Sequence, residues 1–566
     1  MLHSHLPYYR KAGMWPFGEE NLYECMAETY LPLLNALTEL KEQGIRANLT
    51  LGVTPILAEQ LYDEHLNQGF IEYLESRIEA VSQDVVRYEN ATDPMLKQKH
   101  KLACFYSEWF SKALDDFTNK YGKNLLAGFK ALQDAGCIEI TTSAATHGFL
   151  PLLATDASIE AQLQAGVEAY KKYFGRAPKG IWLPECAYRP AQEIQDESGQ
   201  TYTRPSIDAF LYKYGIQYFF TEYHAIEGAS SSTSRRVFGI YDWDTRYVPM
   251  AASIVAGQQR ADLTTDHAYW MRDYPVAVMG RNNRASFQVW SAAYGYPGDG
   301  LYREFHKRDD RSGMHYWKLT SKECGLGDKH LYYPDEAFSK AREHADHFVH
   351  MVGELAKSRF EATGEKPLIM VSFDTELFGH WWFEGIEWIK QVCLNMSKQQ
   401  TVTPLTATAY LEQTPPKHAI TLPESTWGQG GHFWVWNNHH TDWMWPVIYD
   451  AEYKMRSLVS QFANTQDPLE VKTLNMALRQ ILLLESSDWP FLVTTFQAKD
   501  YAIDRFNEHK DRFWALAEML DSGTIDESKI DAMFDIDNCF PELDFRSFQS
   551  APMPSAQGTT AQTVSL

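Results

Sequence analysis

Seven short apolar runs, each ending in a polar or ionisable tip and followed by a helix-like stretch, constrain this chain more than any other feature. They are LHSHLP (2–7), RANLTLGVTP (46–55), CIEITTSA (137–144), GIWLPEC (180–186), QYFFTEYH (217–224), VAVMGRN (276–282) and PLIMVSFDTE (367–376). Several are almost continuously apolar, as strands buried on both faces of a parallel sheet are. Amphipathic stretches such as 24–44 and 158–175 lie between them. Strand alternating with helix predicts an α/β fold with a parallel sheet. Seven units point to a distorted or incomplete barrel. No GxGxxG follows an early strand, which weighs against an open dinucleotide-binding sheet.

The stretches that break the alternation mark further units. Residues 58–130 are charged and helix-like and read as an insertion after the second strand. Residues 225–275 contain GASSSTSRR and many polar and aromatic residues. That is too long for an ordinary connection, and such loops are commonly lids or binding loops. Helical patterns return toward the C-terminus, clearest in LNMALRQILLLESSDWPF. The expected layout is therefore a barrel over 1–57 and 131–410, a C-terminal helical domain over 411–530, and a small polar tail over 531–566, disordered toward its end.

Composition narrows the partners. A chain of 566 residues is too long for one simple core. Its net charge of −22 lacks the basic footprint that nucleic acid or an anionic membrane requires. No run approaches the roughly 18 apolar residues of a membrane helix, and no signal peptide is visible. Seven scattered cysteines without a CxxC pair fit reduced thiols in a cytoplasmic setting. Aromatic residues make up 14% of the chain, 17 of them tryptophan, and many sit in loop-like stretches beside Gly, Asn and Asp. Large cores account for most of them. The rest suit a neutral ligand with flat apolar faces, such as a sugar.

In a parallel barrel the loops after the strand C-termini build the active site. Those tips carry His3 and His5, then His147, Glu185, Glu222 with His224, Arg281, and Asp374 with Glu376. A lone carboxylate at a strand end is commonly a surface charge or a helix cap. Two that follow apolar runs, Glu185 and Asp374, would point into one mouth. Glycoside hydrolysis needs such a pair, one carboxylate to attack or activate water and the other to protonate the leaving oxygen. A rival reading is metal-dependent hydrolysis. His3 and His5 share one strand face and could grip an ion, with His147 and Asp374 completing the set. Cys186 as a nucleophile lacks a specified base and reads better as a packing residue, and HHTDW (439–443) reads as a loop.

Eight motifs in order resemble glycoside hydrolase family 57, and within it the 1,4-α-glucan branching enzymes. They are LHSHLPY, MWPFGEE, ATHGFLPLL, WLPECAYRP, QVWSAAYGYPGDGLYREFH, DTELFGHWWFEG, WGQGG and ESSDWPF, and the resemblance runs from residue 1 to about 530. The resemblance implies a distorted (β/α)7 barrel with an inserted helical subdomain and a C-terminal helical domain. It implies Glu185 as nucleophile and Asp374 as general acid/base, with no metal or other cofactor. It places Arg281, Gly298, Trp427, Asp488 and Gln497 against substrate, His5 and His147 beside the donor sugar, and Trp15, Trp290 and Trp436 along the glucan cleft. The implied partner is an α-glucan of the glycogen or starch type. The implied activity is chain transfer to a glucose 6-hydroxyl. Other readings are an α-amylase-like hydrolase of the same fold, a non-catalytic glucan-binding protein, and the metal-dependent hydrolase. Two features depart from the family. The chain starts at Met1-Leu2, where the family has further apolar residues, so a shortened first strand or an internal start is expected. Where the family's branching enzymes carry a loop Tyr-Gly, this chain has Phe238-Gly239, with Phe238 and Tyr241 expected to contact the acceptor.

Overall fold

The computed structural model describes residues 1–195, 201–227, 263–291 and 294–549, together with 553 and 555. Each of the seven apolar runs contains a strand. β1 is Leu2–Ser4, β2 Leu49–Val53, β3 Ile138–Thr141 and β4 Gly180–Ile181. β5 (Gln192–Gln195) and β6 (Thr201–Arg204) form a separate antiparallel pair. β7 is Tyr218–Thr221, β8 Ala268–Met271, β9 Ala277–Gly280, β10 Phe373–Asp374 and β11 Ala419–Ile420.

In space the strands run β10-β1-β2-β3 in one sheet and β4-β7-β9-β8-β11 in another. A parallel bridge between Thr142 and Ile181 joins β3 to β4. On the far side the Asn282 amide donates to the Met370 carbonyl at 2.6 Å, where the segment entering β10 meets the end of β9. The seven strands of the apolar runs are mutually parallel and close into a distorted (β/α)7 barrel. β8 is a strand that the apolar-run pattern does not mark. It lies at the end of the 225–275 stretch, antiparallel to β9, with β11 on its outer edge. Phe238 and Tyr241 fall in 228–262, outside the described residues.

β1 is only three residues long, yet it is paired on both sides. The Met1 amino group adds a hydrogen bond to the Val371 carbonyl at 2.8 Å. The short strand is thus held by its neighbours rather than by its own length.

Two apolar cores support the two halves of the ring. One gathers Leu2, Leu51, Ile138 and Phe373 with the inserted helices. The other gathers Ile181, Phe219, Val278 and Ile420 with the C-terminal helices. The insertion is built on the helices Glu64–Tyr88 and Pro94–Asp115. Asp63 and Asp93 cap their first turns through side-chain oxygens, satisfying amides that would otherwise lack partners. In the first helix Leu66, Phe70, Leu74, Val81 and Tyr88 make one buried stripe. In the C-terminal domain the helix Pro468–Leu484 is buried almost continuously from Thr473, so it is surrounded by other elements rather than lying on a surface. Among the described residues no helix is long and apolar enough to cross a membrane. All seven cysteines are unpaired.

One glycine fixes where β10 delivers its tip. Gly379, five residues beyond Asp374, has φ +103°, and a Cβ there would stand 1.9 Å from the Glu28 carbonyl oxygen. The turn Asp374–Trp382 lies against the helical segment Met26–Tyr30 at that point. Gly379→Ala must therefore push backbone against backbone. Overpacking of this kind costs about 1–3 kcal/mol or more. The expected outcome is a lower melting temperature together with loss of the turn that carries Asp374, read by calorimetry and by activity at a temperature where the variant is still folded.

Candidate active site

The site lies where the two half-barrels meet. β4 supplies Glu185 from one half. From the other, β10 supplies Asp374, β1 supplies His3 and His5, and the loop after β3 supplies His147, with His3 in register with Asp374. Glu185 sits in a single helical turn after β4, in left-handed conformation (φ 60°, ψ 23°), and Cys186 follows at φ 52°. Left-handed backbone at non-glycine residues persists only where surrounding structure dictates it. Here the 425–427 segment does so. Tyr188 and Ser425 exchange backbone hydrogen bonds, the Trp427 amide donates to the Glu185 carbonyl at 3.1 Å, and the Thr426 hydroxyl donates to it at 2.9 Å.

The Glu185 carboxylate is gripped as firmly. The Trp427 indole N–H donates to Oε2 at 2.8 Å, and the Ser487 hydroxyl donates to Oε1 at 2.9 Å. Burial raises the Glu185 pKa to about 7, against the pull of these two donors, which favour the ionised form. Asp374 is raised well above the usual carboxylate range, first by burial, then by the neighbouring charges of Glu376 and Glu185. Arg281 pulls the other way, and its Nε lies 2.5 Å from Glu222 Oε1. Glu376 is also lifted to about 7 by burial, although the Tyr30 hydroxyl and the His5 amide both donate to its Oε1. Among the described residues, side-chain donors reach Glu185 and Glu376, and none is seen at Asp374.

The histidines form a stacked wall. His5 lies on His147, with ring centroids 3.8 Å apart and planes 17° from parallel, and His3 stacks on Trp182 at 4.9 Å. His147 Nδ1 meets the Ser487 hydroxyl at 2.8 Å, and its Nε2 meets His3 Nε2 at 3.1 Å. His5 bridges Thr54 (3.1 Å) and Asp488 Oδ1 (3.0 Å). Burial drives His3 and His147 well below the ordinary imidazole value, so both are neutral. Burial opposes charge on His5 too, but Asp488, Glu185 and Glu376 outweigh it and its pKa is raised.

Donor atoms of His5, His147 and Asp488 all lie within 4.8 Å of one another, which is close enough to consider a metal ion. The ring geometry argues against it. Imidazole lone pairs lie in the ring plane, and two stacked, nearly parallel rings with centroids 3.8 Å apart do not direct them at one ion about 2.1 Å from each nitrogen. This trio also omits His3 and Asp374, which the metal-hydrolase reading requires. Cys186 is buried, and its thiol is held well above its ordinary pKa, first by burial and then by Glu222. It is therefore a poor nucleophile.

The remaining residues divide. Asp488 opens the helix Asp488–Thr495 and accepts from Ser486 at 2.7 Å, which orients it toward His5. Trp427 is buried beside Trp182, with centroids 5.0 Å apart. Trp290 is half-buried, its indole N–H 3.4 Å from the Ser372 carbonyl behind β10. Gly298 ends the single turn Tyr296–Gly298, and Gln497 is exposed beside the left-handed Phe496. Trp15 is 72% exposed on its own loop. Trp436 is 1% exposed, packed on Phe149 and closing over Gly428, so it backs the Trp427 loop instead of offering an open face. Trp434, two residues earlier, is the exposed one at 42%. Sequence reasoning missed Ser487 and Tyr30. Ser487 adjoins Asp488 in a motif already singled out, whereas nothing local marks Tyr30, which lies inside an amphipathic helical stretch.

A family model described as glycosyl hydrolase family 57 matches residues 1–423, and one described as 1,4-alpha-glucan branching enzyme, C-terminal, matches 447–548. The chain is 42% identical to a 1,4-alpha-glucan branching enzyme of Thermococcus kodakarensis, over 92% of this chain and 73% of the other. A crystal structure of a branching enzyme from the same organism, in complex with glucose and additives, superposes with a TM-score of 0.87 at 40% identity, covering 100% of this chain and 98% of that one. The α-amylase AmyC of Thermotoga maritima superposes with a TM-score of 0.80 at 31% identity, covering 98% of each chain.

The His5–Asp488 pair gives a direct test. Asp488→Asn removes the largest influence that favours the charged imidazole and leaves burial to dominate. The His5 pKa is then expected to fall from above its ordinary value of about 6.5 to below it, while His3 and His147 stay neutral in both proteins. Side-chain nitrogen NMR with histidine labelling reads all three.

Proposed function

The chain belongs to glycosyl hydrolase family 57, and from that premise we propose that it is a 1,4-α-glucan branching enzyme acting through Glu185 and Asp374. One observation supports the chemistry. The two carboxyl groups occupy the same buried mouth, and of the two only Glu185 receives side-chain donors among the described residues, from Trp427 and Ser487. That asymmetry leaves Glu185 as the carboxylate and Asp374 as the acid, the division of labour a retaining glycosidase needs.

Glu185 Oε attacks the anomeric carbon of an α-1,4-linked glucose while Asp374 gives its proton to the departing oxygen. The C1–O bond to the leaving chain breaks, and an ester joins the donor chain to Glu185. Asp374, now ionised, takes the proton of an incoming hydroxyl, whose oxygen displaces Glu185 from C1. When that hydroxyl is the 6-hydroxyl of a glucose unit, an α-1,6 branch forms. When it is water, the chain is only shortened. Asp488, His5 and His147 present oriented donors and acceptors for donor-sugar hydroxyls. Arg281, paired with Glu222, is an electrostatic partner of Asp374. Gly298 and Gln497 are assigned to the glucan path from their motifs.

Transfer is preferred over hydrolysis because the C-terminal match is to a branching-enzyme region and the 42% relative carries that name. The likeness to an α-amylase at 31% identity keeps hydrolysis as the second reading. Amylose incubated with the pure protein, then debranched and analysed for chain length, separates them. New α-1,6 linkages are expected to outnumber free new reducing ends. Reducing ends without branches would make the protein an amylase.

Glu185→Gln is expected to abolish both outcomes, since an amide cannot form the ester. Asp374→Asn should lose about 10²–10⁴-fold on amylose but keep its first step on a glucosyl fluoride, whose leaving group needs no proton. The pH profile carries the signs. Trp427→Phe removes a donor to the charged form of Glu185, raising its pKa and moving the acid limb of kcat/KM upward by about one unit. Glu376→Gln removes a negative neighbour of Asp374, lowering its pKa and moving the alkaline limb downward. Unmoved limbs in both variants would detach these groups from the reaction.

A further inference from the structure

We propose that a groove on the catalytic side of the barrel, outside the Glu185 mouth, is a second binding site for α-1,4-glucan chains. The proposal rests on the glucan reading above. The groove has a volume of about 1040 Å³ and is walled by Arg10–Glu20 residues after β1, by Tyr62–Arg77 residues after β2, and by Asp535 and Asn538. The first wall follows the C-terminal end of β1, and the second begins at the far end of the helix Pro55–Tyr62, which follows β2. β1 also delivers His5, and Tyr501 feels the charges of both Asp488 in the site and Glu19 in the groove, which puts groove and mouth near each other.

The lining chemistry selects the ligand. Four basic and six acidic side chains line the groove, and most are already engaged. Arg10 Nε donates to Asp63 Oδ2 at 2.9 Å, Lys11 pairs with Asp535 at 2.7 Å, His65 meets Glu19 at 2.8 Å, and Gln68 donates to Glu72 at 3.1 Å. A phosphate or other anion would face an acidic excess. A metal ion would have to compete with these cations for the carboxylates. An apolar peptide would find few aliphatic walls. What the groove does offer is a set of fixed donors and acceptors, the kind that neutral hydroxyls pair with in both directions, and aromatic faces. Tyr62 is 54% exposed, Tyr73 is half-buried, and Tyr23, 1% exposed, packs beside Tyr73. Met14 adds an apolar contact at 51% exposed; Trp15 follows it in the same loop but is not one of the lining residues. The loop that carries both is pinched by glycines. A Cβ at Gly18 would stand 2.2 Å from the Gly13 carbonyl oxygen, so the loop closes tightly and projects its tip.

Size points the same way. The volume is at the top of the roughly 300–1,000 Å³ range of small-molecule sites, and the groove is open, so an oligomer fits better than a single sugar. A polymer long enough to reach both places gains affinity by occupying them together, because the second contact is intramolecular. A short oligosaccharide in the mouth gains nothing from the groove. The groove therefore sets a preference for long chains without touching the chemistry.

The test uses full-length Glu185→Gln protein, which holds glucan without turning it over. Two groove variants are added in turn. Tyr62→Ala removes an exposed ring, and Gln68→Trp fills the groove from an exposed helix position. Neither residue contacts the catalytic groups. Affinity electrophoresis in gels containing amylopectin is expected to show binding weakened roughly three- to tenfold by either change. Calorimetric binding of maltotriose and the melting temperature should stay unchanged. Equal retardation of both variants and their parent by amylopectin would overturn the groove. So would an equal loss of amylopectin and maltotriose binding in Gln68→Trp at unchanged melting temperature, because that would place the effect in the mouth. If the parent binds neither ligand, the glucan reading itself fails along with the groove.

Discussion

The structure turns on a carboxylate held by groups far from it in sequence. Glu185 receives an indole N–H from Trp427 and a hydroxyl from Ser487, across 242 and 302 residues. Neither donor belongs to the β4 loop that carries the carboxylate. Each comes from the segment that follows the barrel, so the C-terminal part of the chain contributes side chains to the candidate site rather than being an appendage. Two buried carboxyl groups in one mouth cannot both ionise at ordinary cost. Both donors fall on Glu185, and the proposed mechanism takes it as the one that ionises. The left-handed backbone at Glu185 and Cys186, fixed by Ser425 to Trp427, and the packed turn beyond Asp374 serve that arrangement.

Much of this was legible in the sequence. An apolar run that stops at a carboxylate has a direction, and in a parallel strand the direction fixes which end of the barrel receives the acid. That reading puts Glu185 and Asp374 at one mouth, with His3 and His5 on the first strand, and the structure brings these residues together. What escaped depends on contacts that no local pattern encodes. β8 is four residues inside a polar and aromatic stretch and takes its strand character from pairing with β9. Tyr30 reaches Glu376 from a helical segment whose spacing reads only as core. The two tryptophans of FWVWNN are equivalent by composition. A tight turn and a glycine at 428 decide that Trp434 faces out and Trp436 faces in.

The division of the barrel into two cores bears on function. Glu185 stands on the half supported by the C-terminal helices, and Asp374 on the half supported by the inserted ones. Their relative placement is carried by the β3–β4 bridge, the Asn282–Met370 hydrogen bond and the buried histidine stack between them. The groove after β1 and β2 is built wholly on the Asp374 side of this ring together with the 535–538 segment. Chemistry and chain retention can thus vary separately, since the residues that would hold a long glucan are not those that hold the proton.

The central claim is that Glu185 forms the covalent bond. A fluorinated glucosyl fluoride, which forms the glycosyl-enzyme faster than it is released, followed by proteolysis and peptide mass spectrometry, tests it most directly. The account predicts one fluoroglucosyl group on the WLPEC peptide, at Glu185, and none in Glu185→Gln. A label on another carboxylate, Glu376 included, or inactivation without any ester, would contradict it.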